Sequence, residues 1–323
     1  MQGYQGQVGI DPQASRDAST EFTPYNRESF EQLGVLEVWQ KYSDVLTWGK
    51  GQTLAVLDDG CDITTPQWQA QLPWGPKVIA TGNTVEGGTD PAHRPPGYHG
   101  TTVGYPSSVN YEGLRGIAYN NQVAHVRCVT TVHLPGDESA TIAEALQWVI
   151  DNHQKYNITT VNLAPVDDIA HPAPIETAID EKLRQLRERH IWVSAPCANN
   201  NFTDGISWPA CAQDCFAIGA VKPGLHEAYL DRFSNTDLLA VAQATSSSNA
   251  YAVGSSMILR EAIEKLGFDW QRYGVTIPDA MLAIFQQTGI PVHDPATDCD
   301  FRELNLLAAI DFVFGSKLTE SAQ

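Results

Sequence analysis

Short apolar runs bounded by turn-forming residues recur along most of this chain. They lie at residues 53–57, 77–81, 123–129, 158–163, 191–195, 216–221 and 238–241. Runs of this length between turns are typical of strands that are buried on both faces of a parallel sheet. The pattern therefore predicts a sheet that is covered on both sides.

Between these runs, apolar residues recur at helical spacing. The segment 141–153, for example, carries Ile142, Ala145, Leu146 and Val149 on one face. The predicted helices span 35–42, 141–153, 175–189, 256–266, 278–287 and about 304–314. Strands that alternate with helices favour an α/β fold with a mostly parallel central sheet and helices on both faces.

The pattern indicates one domain. Residues 1–33 are rich in Gln, Gly, Asp, Ser and Pro, and we expect an irregular N-terminal arm there. The periodic pattern continues over residues 34–317, and no linker in that span is strong enough to divide it. Residues 318–323 are expected to form a short tail. A single domain of this length is common among α/β folds.

The charge balance argues against two classes of partner. The 323 residues include 20 Lys and Arg against 38 Asp and Glu, a formal net charge of −18. Nucleic acids and anionic membranes are bound by clustered cations, and the strongly negative balance argues against such a surface. The first residues are polar, and no apolar run approaches the roughly 18 residues of a membrane span. We expect a cytoplasmic location if Met1 is the native start, whereas a missing export signal is the alternative.

The six cysteines are too few and too scattered for a disulfide framework in a chain of this length. Cys211 and Cys215 do not have the CxxC spacing of a zinc or redox motif, and no histidine pair stands nearby at ligand spacing. We expect buried free thiols for most of them and no metal ligands.

Three distant segments each place one catalytic residue type among small neighbours. Asp58 ends a predicted strand and begins Asp-Asp-Gly, His99 begins His-Gly-Thr-Thr-Val, and Ser256 lies in Gly-Ser-Ser-Met. The carboxyl ends of strands are where open α/β sheets place their sites. A carboxylate there can orient a histidine base, and a serine at a helix start exposes its hydroxyl beside backbone amides. Taken alone, each segment also fits a turn or a helix cap.

A fourth segment follows another predicted strand. The run 191–195 leads into Pro-Cys-Ala-Asn-Asn, which places Asn199 just beyond the strand. By itself this pair of asparagines would be interpreted as a turn. Only the other three segments give Asn199 a functional interpretation.

In chain order and spacing, the four segments resemble the signatures of the subtilase family of serine endopeptidases, which use the order Asp, His, Ser. The resemblance extends over about residues 34–314. It implies a subtilisin-like three-layer sandwich and hydrolysis of peptide bonds through an acyl-enzyme. The residues that it assigns to catalysis are Asp58 as the orienting acid, His99 as the base, Ser256 as the nucleophile, and Asn199 with the Ser256 amide as oxyanion donors.

The same resemblance implies a polypeptide substrate and chemistry that requires no cofactor. Gln67 stands where many subtilisins carry a calcium-binding aspartate. Calcium is therefore not expected at that site, and a structural calcium ion is left as an alternative.

Two details are similar to the kexin/furin branch of the family. The second acid of Asp-Asp-Gly is typical of that branch, and the run 162–168 resembles its Ser-Trp-Gly-Pro-x-Asp-Asp segment. The residues implied by this likeness are Asn162, Leu163 and Ala164 in a substrate-binding strand, and Asp167, Asp168 and Asp204 in an acidic primary pocket. Paired carboxylates would select a basic residue before the cleaved bond by charge-assisted hydrogen bonds. A loop with two solvated acids is the alternative.

Two other functions stay open at this point. Ala164 and Ala198 replace family glycines and Arg260 replaces a family proline, which is the support for a catalytically altered relative used for binding; the complete triad with Asn199 stands against it. A transpeptidase or macrocyclase would use the same scaffold, with an amine in place of water. The leading prediction is a serine endopeptidase.

Overall fold

A ten-stranded sheet forms the centre of the computed structural model, which describes residues 23–320. The strands are β1 (Thr23–Pro24), β2 (Thr53–Asp58), β3 (Gln71–Leu72), β4 (Gly75–Pro76), β5 (Val78–Asn83), β6 (Asn110–Tyr111), β7 (Leu114–Arg115), β8 (Gln122–Arg127), β9 (Ile158–Leu163), β10 (Trp192–Pro196), β11 (Phe216–Val221), β12 (Ala228–Tyr229), β13 (Leu238–Val241), β14 (Ile290–Asp294) and β15 (Cys299–Glu303). The helices are α1 (Arg27–Gln32), α2 (Val35–Lys41), α3 (Gly100–Val103), α4 (Tyr105–Ser108), α5 (Ser139–Tyr156), α6 (Asp180–Glu188), α7 (Thr245–Leu266), α8 (Ile277–Thr288) and α9 (Leu306–Glu320), with a short 3₁₀ turn at Trp270–Arg272.

The central sheet has the strand order β14-β15-β13-β11-β10-β9-β2-β8-β5, and β12 pairs with β11 off this path. Neighbours from β15 to β5 are parallel, whereas β14–β15 and β11–β12 are antiparallel. Every residue of β2 and β9, in the parallel part, is buried. The apolar runs in the sequence predict this arrangement.

Helices cover both faces of the sheet. On one face, α5 and α6 pack Ile142, Leu146 and Leu183 against the strands. On the other face, a larger apolar cluster includes Met257 of α7 together with residues of α2, α8 and α9. The predicted α/β class, a mostly parallel sheet between two helical layers, is confirmed.

Helix α7 runs antiparallel to the strands through the larger cluster. Its first residue, Thr245, donates its backbone N–H to Asn199 Oδ1 (2.9 Å), just beyond the carboxyl end of β10. Further along, the carbonyl oxygen of Met257 accepts from Gln52 Nε2 (2.8 Å), just before the amino end of β2. The helix therefore begins at the carboxyl edge of the sheet and reaches the amino edge near Met257.

Most predicted elements occur close to their expected positions. The runs 158–163, 216–221 and 238–241 coincide with β9, β11 and β13. The largest difference is α7, which begins at Thr245 and not at residue 256. The antiparallel pair β14–β15 is absent from the sequence-based prediction. All six cysteines are free thiols, and all except Cys299 are buried.

The ends of the chain also differ from the prediction. Residues 1–22 of the expected arm and 321–323 of the expected tail lie outside the described residues. The rest of the arm is not irregular, because it contains β1 and α1 and buries Phe30 in the larger cluster. Helix α9 continues past the expected start of the tail. Between residues 23 and 320, no helix has the length and apolar character needed to cross a membrane.

Candidate active site

Asp58 and His99 meet at the carboxyl edge of the sheet. Asp58 is the last residue of β2, and His99 directly precedes α3. Asp58 Oδ2 lies 2.8 Å from His99 Nδ1, which leaves Nε2 available on the other side of the ring. The acid side chain is 2% exposed and the histidine side chain 18%, so the acid is buried behind the base. The structure thus brings together two of the residues singled out in the sequence.

Gly100 permits the close approach of α3 to β2. A side-chain carbon at this position would lie 2.2 Å from the carbonyl oxygen of Gly60 and 2.8 Å from Asp58 Cβ. Any larger residue would push the start of α3, and His99 with it, away from the carboxylate. Steric crowding therefore explains why a glycine follows His99 in the His-Gly-Thr segment.

Asp59, the second acid of Asp-Asp-Gly, holds the backbone around the histidine. Its Oδ2 accepts from the N–H groups of Tyr98 (3.0 Å) and His99 (3.1 Å), and its Oδ1 accepts from that of Gly100 (3.0 Å). Backbone N–H groups at a helix start lack partners within the helix, and a carboxylate binds them well. Sequence reasoning treated Asp59 only as a mark of one branch and missed this role.

Burial and mutual attraction set the charge of the Asp58–His99 pair. Burial raises the pKa of the Asp58 carboxyl to about 6, against the opposing effect of His99. Burial also disfavours charge on His99, but the carboxylate of Asp58 outweighs it and raises the pKa of the imidazole above its usual value. The two groups titrate as a pair. His99 is therefore a stronger base than a histidine in water.

Ser256 does not join this pair. It lies in the interior of α7, is fully buried, and donates its hydroxyl hydrogen to Val253 O (2.8 Å). The next residue, Met257, contacts Gln52 at the amino edge of the sheet. Most of the length of β2, whose six residues span about 17 Å, lies between that edge and Asp58. The prediction that Ser256 begins a helix and exposes its hydroxyl is wrong.

Ser246 lies instead at the start of α7. It directly follows Thr245, the first residue of the helix, and its side chain is half-buried. Within residues 23–320, its hydroxyl has no hydrogen-bond partner. This serine therefore has the exposure and the edge position that the sequence analysis expected of Ser256.

The first turn of α7 leaves one backbone donor unused. The N–H groups of the two residues after Ser246 donate to Ala244 O, and that of Thr245 donates to Asn199 Oδ1. In the described part of the chain, the Ser246 N–H is the first-turn donor without an acceptor, as helix starts allow. A backbone N–H beside a serine hydroxyl is suited to stabilise an oxyanion.

The side chain of Asn199 is oriented by Thr245. Asn199 Oδ1 accepts from the backbone N–H (2.9 Å) and the hydroxyl (3.1 Å) of Thr245. Because a backbone N–H can only donate, Oδ1 must face Thr245 and Nδ2 must face away from it. Asn199 is exposed, so its amide donor is accessible near Ser246. The preceding residue, Ala198, has a φ of +84°, a left-handed conformation that costs energy in any residue except glycine.

The predicted substrate-binding strand presents no exposed side chains. Asn162, Leu163 and Ala164 are all buried. The Asn162 side chain points into the core, where Oδ1 accepts from Asn249 Nδ2 (2.8 Å). The Ala164 N–H donates to Leu57 O (3.1 Å), within the sheet. A peptide at this strand would have to contact the backbone.

Two of the three carboxylates predicted for the primary pocket already have partners. Asp167 Oδ2 lies 2.7 Å from His171 Nε2, and Asp168 Oδ2 lies 2.7 Å from His133 Nδ1. Although burial works against it, the hydrogen bond from His133 lowers the pKa of Asp168. Asp204 is exposed. A cationic substrate side chain would have to compete with these histidines for Asp167 and Asp168.

Sequence reasoning missed the serine at the start of α7, although a signal was present. Residues 244–246 read Ala-Thr-Ser, which keeps the Thr-Ser of the Gly-Thr-Ser-Met signature, whereas the segment around Ser256 keeps its Gly, Ser and Met. An acid–base pair, an accessible hydroxyl and two oxyanion donors together are suited to nucleophilic acyl transfer. Within residues 23–320, no group of three or more His, Cys, Asp or Glu side chains could hold a metal ion.

Comparison with known proteins gives a family match. A family model described as the subtilase family, Peptidase_S8, matches residues 49–273, which is more than half of the chain. The matched region contains Asp58, His99, Asn199 and both candidate serines. No curated protein matches the chain.

Proposed function

This chain belongs to the subtilase family, and from that premise we propose that it is a serine endopeptidase with the triad Asp58, His99 and Ser246. The observation that carries the proposal is the hydrogen bond of 2.8 Å between Asp58 and His99 at the carboxyl edge of the sheet. Helix α7 begins at the same edge with Thr245 and Ser246.

In the first half of the reaction, Ser246 Oγ attacks the carbonyl carbon of a peptide bond while His99 Nε2 accepts its proton. Asp58, bound to Nδ1, keeps the proton on that nitrogen and stabilises the imidazolium that forms. The imidazolium then protonates the leaving amine, and the acyl-enzyme remains on Ser246. Water, activated by the same imidazole, releases the acid product.

Two donors support the negative charge of the tetrahedral intermediates. The Ser246 backbone N–H has no acceptor in the described part of the chain, and Asn199 Nδ2 is turned away from Thr245 toward solvent. Donors held in place before the charge develops stabilise it without further rearrangement. The two donors, the Ser246 N–H and Asn199 Nδ2, therefore support the proposal of acyl hydrolysis.

Digestion of a defined peptide library in isotopically labelled water, followed by mass spectrometry, tests the proposal. A peptidase gives pairs of fragments, and each new carboxyl end carries labelled oxygen. A transpeptidase or macrocyclase would give ligated or cyclic products, and a binding protein would leave the peptides intact. Either of those two results would contradict the proposal.

We also propose a mild preference for Arg or Lys before the cleaved bond. The support is the likeness of residues 162–168 to the kexin/furin segment and the two carboxylates of Asp167 and Asp168. Because His171 and His133 bind these carboxylates, the preference is weaker than in an open acidic pocket. Cleavage of the same library without enrichment of basic residues would contradict the preference but not the peptidase proposal.

The pH dependence of kcat/KM is expected to report on His99. A general base works only when neutral, and the carboxylate of Asp58 outweighs the effect of burial and raises the pKa of the imidazole. His99 is therefore protonated at a higher pH than an ordinary histidine, and kcat/KM should fall as the pH drops through a value above about 6.5. An acid limb at or below the ordinary histidine value in a steady-state pH profile would contradict this expectation.

Replacement of Asn199 by alanine is expected to lower kcat by about 10²–10³-fold with little change in KM. The lost amide would donate to the oxyanion mainly in the transition state. Asn200→Ala is the matched control, because Asn200 Nδ2 binds Asp168 (2.9 Å) and leaves the neighbouring amide in place. A wild-type kcat in Asn199→Ala, or equal losses in the two variants, would remove the oxyanion role.

The position of Arg260 gives no support to a purely binding function. Its Nη1 donates to His190 O (2.5 Å) and its Nε to Glu264 (2.7 Å). His190 lies between α6 and the amino end of β10, so Arg260 connects α7 to the edge of the sheet opposite Asp58. The arginine has a structural role away from the candidate triad.

A further inference from the structure

A buried chain of hydrogen bonds connects β10, α7 and β9 beneath the candidate site. Trp192 Nε1 lies 2.9 Å from Ser194 Oγ, which lies 2.6 Å from Asn249 Oδ1. Asn249 Nδ2 donates in turn to Asn162 Oδ1 (2.8 Å). All four side chains belong to residues that are at most 1% exposed. This series of hydrogen bonds therefore ends at Asn162, out of contact with solvent.

The indole of Trp192 fixes the donor and the acceptor of every hydrogen bond in this series. An indole N–H can only donate, so Ser194 Oγ accepts from it and gives its own hydrogen to Asn249 Oδ1. Asn249 must then donate from Nδ2 to Asn162, and the acceptor on Asn162 must be Oδ1. Consequently, Asn162 Nδ2 faces away from Asn249.

This amide nitrogen is a buried donor without a partner among the described residues. On the sheet, Asn162 pairs with Val56, which lies two residues before Asp58 and on the same face. Two residues of a strand span about 7 Å. On α7, Asn249 follows Ser246 by about one turn, a rise of about 4.5 Å. Asn162 thus lies directly below the edge where Asp58 and Ser246 stand.

We propose that Asn162 is a positioning residue whose Nδ2 donates to Ser246 Oγ when the serine turns toward His99 during the reaction, an inference that rests on the proposed function. In this structure neither Ser246 Oγ nor Asn162 Nδ2 has a hydrogen-bond partner within residues 23–320, so rotation of the Ser246 side chain would satisfy both groups at once. With one lone pair of Oγ held from below, the hydroxyl hydrogen is left to point at His99 Nε2. In deacylation the same donor stabilises Oγ as it leaves the acyl carbon and takes a proton from His99.

Kinetics of Asn162→Leu test the inference, because leucine has nearly the same size and no donor. We expect kcat for a fluorogenic peptide to fall about tenfold with KM within about twofold, and the labelling rate of a fluorophosphonate to fall by a similar factor. Thr159→Val is the matched control, since buried Thr159 lies on the same strand but binds Gln52 at the amino edge. It should lower the unfolding temperature and leave kcat unchanged.

Unchanged kcat and labelling in Asn162→Leu would overturn the inference. An equal fall of kcat in Thr159→Val would also overturn it, because the loss would then follow from stability. These results are distinguishable from failure of the proposed function, in which the wild-type chain itself hydrolyses no peptide and takes no label. That last result would contradict both the proposed function and the inference about Asn162.

Asn162→Asp decides the matter if the leucine variant does not fold. Aspartate has the same shape, and one of its oxygens can still accept from Asn249 Nδ2. The second carboxylate oxygen would replace Nδ2 and face the triad, where its charge should raise the pKa of His99. We expect the acid limb of kcat/KM to move to higher pH, and an unmoved limb would overturn the inference.

Discussion

Replacement of Ser246 by alanine is expected to lower kcat for peptide hydrolysis about 10⁶-fold, because the reaction loses its nucleophile. Ser246 lies at the start of α7, half-buried, beside the carboxyl edge where Asp58 and His99 meet. KM should change little, since substrate binding does not depend on this hydroxyl. Steady-state kinetics with a peptide that the wild-type chain cleaves measure both constants.

The same substitution at Ser256, in the interior of the same helix, is the matched control. The only hydrogen bond of the Ser256 hydroxyl within residues 23–320 goes to Val253 O, and alanine is the most favourable residue in a helix interior. We expect kcat within about twofold of the wild type and an unfolding free energy changed by at most about 1.5 kcal/mol, the range for one hydrogen bond. Loss of activity in Ser256→Ala with retention in Ser246→Ala would reverse the assignment.

Asp58→Asn is expected to lower kcat about 10⁴-fold while the backbone stays in place. The amide can donate to His99 Nδ1 in place of accepting from it, which puts the imidazole proton on Nε2, where a base must be unprotonated. Because the raised pKa of His99 comes from Asp58, the acid limb of the residual activity should also move to lower pH. Steady-state kinetics as a function of pH measure both effects.

Asp59→Asn is the matched control for Asp58→Asn. Asp59 accepts from three successive N–H groups, at 3.0, 3.1 and 3.0 Å, and touches no atom of the imidazole ring in these contacts. An amide offers one acceptor oxygen where the carboxylate offers two, so the free energy of unfolding should fall by about 1–2 kcal/mol. The loss of kcat should be far smaller than in Asp58→Asn. Equal losses would contradict the orienting role of Asp58.

The strands of the parallel sheet could be predicted because local sequence determines them. Strands β9, β11 and β13 are apolar runs closed by turn residues, and nothing in their neighbourhood competes with that pattern. The pair β14–β15 lies at one end of the sheet and alternates exposed with buried residues. Such a strand carries a weaker apolar signal than a fully buried one.

The first half of α7 could not be recognised because its polar residues are satisfied by distant partners. Ser, Thr and Asn usually favour caps and turns, so the run 245–249 reads as a loop. In the structure, Ser248 Oγ donates to Ala240 O and Asn249 pairs with Asn162 and Ser194. These contacts join positions far apart in sequence, and they extend the helix back to Thr245.

That boundary explains why the sequence pointed to Ser256 and not to Ser246. With the helix expected to begin at residue 256, Gly-Ser-Ser-Met seemed to lie at its start. Asp58 and His99 do meet at the strand end, as expected, because each position follows from a short segment, a strand end for Asp58 and a glycine turn for His99. The histidine partners of Asp167 and Asp168 come from segments that pair only in the folded chain.

The site of covalent modification by a fluorophosphonate identifies the nucleophile. The labelled wild-type chain would be digested, and the modified peptide sequenced by tandem mass spectrometry, with His99→Ala as the unreactive reference. We expect one adduct per chain, on Ser246, that is lost in His99→Ala. An adduct on Ser256, or stoichiometric labelling at any other residue, would contradict it.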